Sequence, residues 1–404
     1  MVTPVCRIRA AVRPRPPRPI GPGRRTGRHR GRPEASSRLS DTAARGYGGS
    51  LVNVVPDPPP HGVRRPRRAS ILDVAALAGV SASTVSRSLR GHSSISAATR
   101  QRVHEAAQQL SYSASPQASG LASGRTSTIG VVVPFVTRWF FVNVVAGAYE
   151  ALHAAGYDVL LYHLGTGEAR DRFFERMPLS RRVDGVLTLT VPLTEEHTLA
   201  LRALDIPLVT VGAALSGVSC VRIDDVGAMR TAVHHLLHQG HEDILMITGV
   251  GDEAEFGFAA SQCRREGYRE AMEAAGLGER IDLVSADTYG IEGGARAMAA
   301  LMDRPTLPTA VVAEYDELAI GAMRTLRRAS IPVPGRMSVV GVDDHEMASV
   351  VDLTTVAQPV QEQGAEAARL LLDTLADPAA GPAEVVLPTR LAVRGSTGTP
   401  WTRA

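Results

Sequence analysis

From Thr128 to about Asp343 the chain alternates between short apolar runs and amphipathic stretches, and this alternation narrows the folds open to it. Seven runs read as strands: IGVVVPF from Ile129, YDVLLYH from Tyr157, DGVLTLT from Asp184, PLVTVGA from Pro207, DILMITG from Asp243, AVVAEY from Ala310 and MSVVGVD from Met337. They are continuous in Val, Ile and Leu, the pattern of strands buried on both faces. Helical stretches such as Val142–Ala155, Met229–Gln239, Gly267–Ala275 and Leu318–Ala329 lie between them. Strand and helix in turn imply parallel sheets with helices on both sides. The runs fall into two groups separated near Val221–Asp225, so the expected body is two doubly wound lobes. Ligands of such a body sit in a cleft at the carboxyl ends of the strands.

Ahead of this body, ILDVAALAGVSASTVSRSL from Ile71 to Leu89 reads as two short helices joined by a tight turn. Ser70 and Asp73 have capping-box spacing. Val74, Ala75 and Ala78 give the first helix one small apolar face, and Gly79 supplies the stop that needs a positive φ. Ser81 caps a second helix with Val85 and Leu89 inward and Ala82, Ser83, Ser86 and Arg87 outward. Ser96 caps a third, running to about Leu110, with Val103, Ala106, Ala107 and Leu110 on its apolar side. This is the pattern of a helix-turn-helix, in which the second helix presents its early residues to base edges in a DNA major groove. After Tyr112, Pro116 opens a helix of about seven residues with Ala118, Leu121 and Ala122 on one face. Gly120 interrupts it and Gly124 stops it. A helix that short is marginal in water and is ordered only when something holds it; a plain flexible linker is the alternative.

Charge is distributed to match. The net formal charge is only +3, yet residues 1–68 hold 16 arginines against 3 carboxylates, which leaves the remainder acidic. Residues 69–128 are again locally positive, so nucleic acid is expected at one end only. All 44 basic residues are arginine. Residues 1–68, rich in Arg, Pro and Gly, have no apolar periodicity and read as a disordered tail. Either they form a basic arm on DNA phosphates, or translation begins nearer Val63; the second reading is preferred. Three scattered cysteines, Cys6, Cys220 and Cys263, lack metal-ligand spacing and indicate a reducing compartment. No run is suited to a secretory signal or a membrane span. The expected boundaries are a tail at 1–68, a helix-turn-helix domain at 69–113, a hinge at 114–127, a two-lobed domain at 128–395 and a flexible tail at 396–404.

IxDVAxxAGVSxxTVSR, Tyr112 followed by Pro116, LASGRT before the strand–helix series, and a late SVVGVDD together resemble the LacI/GalR family of bacterial repressors over residues 70–395. The resemblance implies an all-α helix-turn-helix domain followed by an α/β two-lobed, periplasmic-binding-protein-like effector domain. It also implies a cytoplasmic homodimer on a pseudo-palindromic double-stranded operator, controlled by a small effector in the cleft, with no cofactor and no catalysis. Its DNA-binding set corresponds to Ser81, Ala82, Ser83 and Arg87, with Thr84 and Ser86 placed for phosphate oxygens. Only Arg87 has the donors to grip guanine O6 and N7 together. Leu121 matches the hinge wedge that enters the minor groove, with Ala118 beside it; Ser119 stands where many members have Arg. The effector set corresponds to Trp139, Phe140, Phe141, Arg264, Tyr289, Asp316 and Asp343, although Tyr315 departs from the family's Asn. Core packing for the aromatics, and a structural ion pair for Arg264 and Asp343, are the competing roles. Aromatic faces beside Arg and Asp suit a carbohydrate.

Two other classes fit the sequence less well. A solute-binding transport protein shares the body but needs a signal sequence and has no use for the helix-turn-helix. A nucleotide-dependent enzyme would use Gly249-Val-Gly251-Asp-Glu-Ala254 as a dinucleotide turn, yet Asp252 and Glu253 would repel a pyrophosphate. His234, His235 and His238 read as a solvated helix face.

Overall fold

The computed structural model describes residues 69–89, 93–112, 125–250 and 258–401, which belong to a small head and a larger body. The expected tail at 1–68, Ala118 and Leu121 of the hinge, and the turn beyond Val250 lie outside the described residues.

In the head, α1 (Ile71–Ala78), α2 (Ala82–Leu89) and α3 (Ala97–Gln109) follow the expected caps. The Asp73 amide donates to Ser70 Oγ at 3.3 Å, and the Ser70 amide donates to Asp73 Oδ2 at 2.7 Å. Together these satisfy two of the donors that a helix start leaves unpaired. Gly79 ends α1 at φ 64°, in the left-handed region where a Cβ is penalised. Val74, Val85 and Val103 meet at the centre, fully buried, with alanines between them that let the helices approach closely. Ser88 of α2 is buried as well, whereas the expected Leu89 is only half-buried.

The body has two six-stranded sheets. Lobe 1 carries β1 (Thr128–Val133), β2 (Asp158–His163), β3 (Gly185–Leu189), β4 (Leu208–Val211), β5 (Ser219–Ile223) and β11 (Glu384–Leu387). Its helices are α4 (Trp139–Ala154), α5 (Gly167–Arg176), α6 (Glu195–Arg202) and α12 (Val360–Ala376). Lobe 2 carries β6 (Ile244–Thr248), β7 (Asp282–Ser285), β8 (Ala310–Ala313), β9 (Ser338–Asp343), β10 (Thr354–Ala357) and β12 (Arg390–Ala392). Its helices are α7 (Asp225–His238), α8 (Ala259–Ala274), α9 (Gly290–Met302), α10 (Asp316–Arg328) and α11 (Glu346–Val350).

The strand orders are β11-β5-β4-β3-β1-β2 and β12-β10-β9-β8-β6-β7. Lobe 1 is wholly parallel; lobe 2 departs from the expected parallel sheet at β12, which pairs antiparallel with β10. Alternate residues feed opposite cores. Leu245 and Ile247 of β6 join one cluster, and Ile244 and Met246 join the other. This explains the continuous apolar runs: helices cover both faces.

All seven expected strands are present, and the lobes divide at Asp224 as expected. Two further crossings were not anticipated. Gln358–Pro359 carries the chain from β10 back to α12 in lobe 1, and Pro388–Thr389 carries it from β11 to β12 in lobe 2. α12 lies backbone to backbone on α4: a Cβ at Gly147 would overlap the Gln361 carbonyl, and one at Gly364 would overlap that of Val144. The expected free tail from 396 is partly packed. The Ser396 carbonyl accepts from the Val339 amide at 2.8 Å, and its hydroxyl accepts from the Thr354 amide at 2.8 Å. His235 is half-buried and bonds Thr397, so that helix face is not simply solvated. Among the described residues no helix is long and apolar enough to cross a membrane.

Candidate functional site

On the head, the first turn of α2 carries a hydroxyl cluster. Ser81 Oγ accepts from the Thr84 amide at 3.2 Å and lies 2.9 Å from both Ser83 Oγ and Thr84 Oγ1. Ser81, Ser83 and Arg87 are exposed; Ala82, Thr84 and Ser86 are half-buried. Arg87 Nε donates to the Ser83 carbonyl at 3.3 Å, a surface contact that a better acceptor readily replaces. With no acidic residue in its first turn, this helix start is suited to an anionic partner.

In the body, Asp343 lies at the carboxyl end of β9 and is 6% exposed. The strand ends in two successive residues at positive φ, 134° at Asp343 and 60° at Asp344. Backbone of this kind costs about 1–3 kcal/mol per residue and clusters at ligand clamps. Gln358 Nε2 donates to Asp343 Oδ1 at 2.6 Å, and Gln363 Nε2 of α12 donates to Gln358 Oε1 at 2.8 Å. From the other side Arg264 Nη1 stands 3.6 Å from Asp343 Oδ1. Arg264 also donates through Nε to Asp225 at 2.8 Å and through Nη1 to the Glu314 carbonyl at 2.7 Å. A buried polar relay therefore runs from lobe 1 through the crossover at Gln358 into lobe 2, with Asp343 in the middle. Burial works against the Arg264 charge, but Asp225 and Asp343 more than offset it and hold its pKa above the ordinary value. Burial raises Asp343, and Arg264 and Gln358 only partly counter it.

Aromatic rings meet where the two lobes adjoin. Phe135, just after β1, lies 5.0 Å from Tyr289, 6.1 Å from Phe141 and 6.3 Å from Phe258, between ring centroids. Trp139 stacks on His345 at 4.9 Å, joining lobe 1 to lobe 2. Arg138 Nε donates across the lobes to Glu317 Oε2 at 3.0 Å. Two buried polar atoms near the strand ends, Trp139 Nε1 and Thr190 Oγ1, have no hydrogen-bond partner among the described residues. Unsatisfied buried polar groups are uncommon in native structures.

The residues expected in the cleft thus divide. Arg264 and Asp343 are brought together, as an ion pair with further polar partners. Trp139 and Tyr289 face the other lobe and are half-buried, as is Phe140, whereas Phe141 is 5% exposed and belongs to the lobe 1 core. Asp316 is sealed off at 0% exposure. Its Oδ2 accepts from the His345 amide at 2.8 Å and its Oδ1 from Thr355 Oγ1 at 2.7 Å, so it braces β9 and β10 from below. The sequence reading missed Phe135, Arg138, Phe258, Glu317 and Gln358, whose signal exists only once the lobes meet. It also missed Asp184, whose carboxylate accepts from the Thr126 amide at 2.6 Å and the Ser127 amide at 2.8 Å, fixing the segment that enters lobe 1. The rejected dinucleotide turn has a geometric objection too: the Gly249 amide already donates to Glu314 at 2.8 Å.

A helix-turn-helix head with a body of two α/β lobes defines the class, a DNA-binding regulator. Residues 70–115 match the model of the bacterial regulatory proteins of the lacI family, and residues 233–397 match that of a periplasmic binding protein-like domain. The HTH-type transcriptional regulator CelR of Thermobifida fusca is 34% identical over 345 residues, covering 83% of this chain and all of the relative. The chain belongs to the lacI family, whose members are transcriptional regulators and not enzymes. A solved complex of the transcriptional regulator CelR with cellobiose is 32% identical, covers 81% of this chain and 100% of that one, and superposes with a TM-score of 0.59. The lac repressor dimer bound to operator and the anti-inducer ONPF, 24% identical with 82% and 100% coverage and a TM-score of 0.73, shares the fold.

Proposed function

We propose that this DNA-binding regulator is a homodimeric repressor of a pseudo-palindromic operator, released or recruited by a small carbohydrate held between the lobes. The Gln363–Gln358–Asp343–Arg264 relay carries this reading, because it gathers carboxylate, amide and guanidinium groups, the chemistry that binds hydroxyl groups, at the carboxyl end of β9. A relative bound to cellobiose supports the ligand class. Asp343 accepts sugar hydroxyls, Arg264 and Gln358 orient it, and Trp139 and Tyr289 provide apolar faces. Isothermal titration against a sugar panel that includes cellobiose, with Asp343→Ala as control, tests the assignment. Uniform silence, or tight purine binding, overturns it.

For the homodimer, Val142 and Tyr149 on α4 (48% and 44% exposed) and Met347 and Val350 on α11 (39% and 71%) leave apolar surface for a second copy. Sedimentation velocity on Val350→Asp reads its use: a shift to monomer supports the interface, and an unchanged dimer rejects it. On the operator, Arg87 grips a guanine while Leu121 and Ala118 of the hinge enter the minor groove. Arg87→Ala then costs about 1–3 kcal/mol with relaxed base preference; an equal loss on random DNA would mean a phosphate contact only.

A further inference from the structure

Arg138 stands at the start of α4, where its side chain caps nothing. That side chain is nonetheless only 16% exposed, and it leaves lobe 1 altogether. Nε and Nη2 donate to Glu317 Oε2 at 3.0 and 2.5 Å. The guanidinium carbon lies 4.6 Å from the Tyr315 ring centroid and 5.2 Å from that of Tyr289. Tyr289 precedes α9, Tyr315 is the residue before α10 and Glu317 lies in the first turn of α10, so these partners belong to lobe 2. Two aromatic faces and a carboxylate are the parts from which proteins build sites for organic cations.

We propose that Tyr289, Tyr315 and Glu317 form a guanidinium box on lobe 2, and that Arg138 fills it as an intramolecular ligand, latching the lobes before an effector arrives. This deepens the effector-cleft reading and rests on it only for its regulatory meaning. Under that reading, a neutral ligand enters between lobes already biased toward closure and need not supply the charge that draws them together. A cationic ligand has to expel Arg138 from the box, so the latch also selects against cations. The contacts beside it, Phe135 on Tyr289 and Trp139 on His345, are ring contacts without comparable direction; the ion pair sets the register in which the lobes meet.

The latch can be read without any effector. The chain has two tryptophans, so Trp401→Phe leaves Trp139, stacked against the opposite lobe, as the sole reporter. In that background Arg138→Ala and Glu317→Gln should each red-shift the Trp139 emission and raise the radius of gyration measured by small-angle scattering. The two changes should not add when combined, and the exchange Arg138→Glu with Glu317→Arg should recover both signals toward the parent. Circular dichroism keeps each variant to account as folded. Parental emission and radius in folded single variants overturn the latch, as does a folded exchange variant that recovers neither. Since no sugar is used, a silent sugar panel leaves this result standing, and a failed latch leaves the sugar assignment untouched.

Discussion

Arg264→Met removes the cation from the centre of the buried relay and keeps much of its volume. Arg264 is 7% exposed, and the substitution leaves the Asp225 oxygen that now receives Nε at 2.8 Å, the Glu314 carbonyl at 2.7 Å and the Asp343 oxygen at 3.6 Å without their shared partner. Breaking one side of a buried ion pair costs about 3–5 kcal/mol, because the stranded charge keeps its desolvation penalty. For a body of this size, each kcal/mol lowers Tm by roughly 2–4 °C, so a drop of roughly 6–20 °C is expected. Asp343 is already held above the ordinary aspartate range by burial, and losing Arg264 raises it further. A carboxyl whose folded pKa exceeds its unfolded value contributes stability that is complete below the unfolded pKa and lost as the pH rises through the folded one. The Arg264→Met deficit must therefore shrink as the pH falls from neutrality toward about 4. Thermal melts of the full chain and the variant, followed by circular dichroism across that range, test both points. A loss under about 1 kcal/mol, or a deficit that does not change with pH, would refute the claim that this arginine compensates buried carboxylates.

Three further outcomes follow from geometry already described. Ser70→Ala removes the capping hydroxyl of α1 and should lower the stability of the head by about 0.5–2 kcal/mol in urea unfolding followed by circular dichroism. Gly364→Ala drives a methyl into the Val144 carbonyl and should destabilise the body by about 1–3 kcal/mol or more, whereas Gly381→Ala, with nothing within 4 Å of its Cβ position, should leave it unchanged in the same melts. Burial, reinforced by the Asp343 charge, holds the Asp316 carboxyl well above its ordinary range. Its contribution to stability is therefore full below about pH 4 and declines toward neutrality, and Asp316→Asn should flatten that decline in urea titrations.

What could be read from the sequence was whatever depends on near neighbours. Ser70 with Asp73 and the stop at Gly79 are local devices, and each formed as expected. The long Val-rich strands were equally plain. β7, β11 and β12 escaped notice because they are three or four residues long, at sheet edges, and partly polar. β10 escaped for a different reason. Thr354 and Thr355 are fully buried, but their hydroxyls are satisfied by the Arg394 carbonyl and by Asp316, partners about 40 residues away. The same distance law governs the site. Arg264 and Asp343 were singled out because the resemblance pointed to them, while Arg138 and Glu317, 179 residues apart, have no meaning until two lobes come together. Asp316 is the converse case: a carboxylate in the stretch the resemblance points to faces the interior, bonded to the His345 amide and Thr355.

The three crossings between the lobes also set the order in which the chain can fold. The head closes its core with contacts inside about 40 residues, so it can be finished soon after Tyr112 leaves the ribosome. Lobe 1 has no such freedom. Its sheet is missing an edge until β11 at residues 384–387 is made, and α4 lacks its backbone-to-backbone partner until α12 arrives. Throughout the synthesis of lobe 2, the incomplete lobe 1 exposes the strand edge at β5 and the apolar groove that α12 will fill. Such an intermediate is a natural client for chaperones and a natural target for proteases. For this architecture the vulnerable moment lasts until residues 360–392, which carry α12, β11 and β12, have been made, when both lobes become complete almost at once.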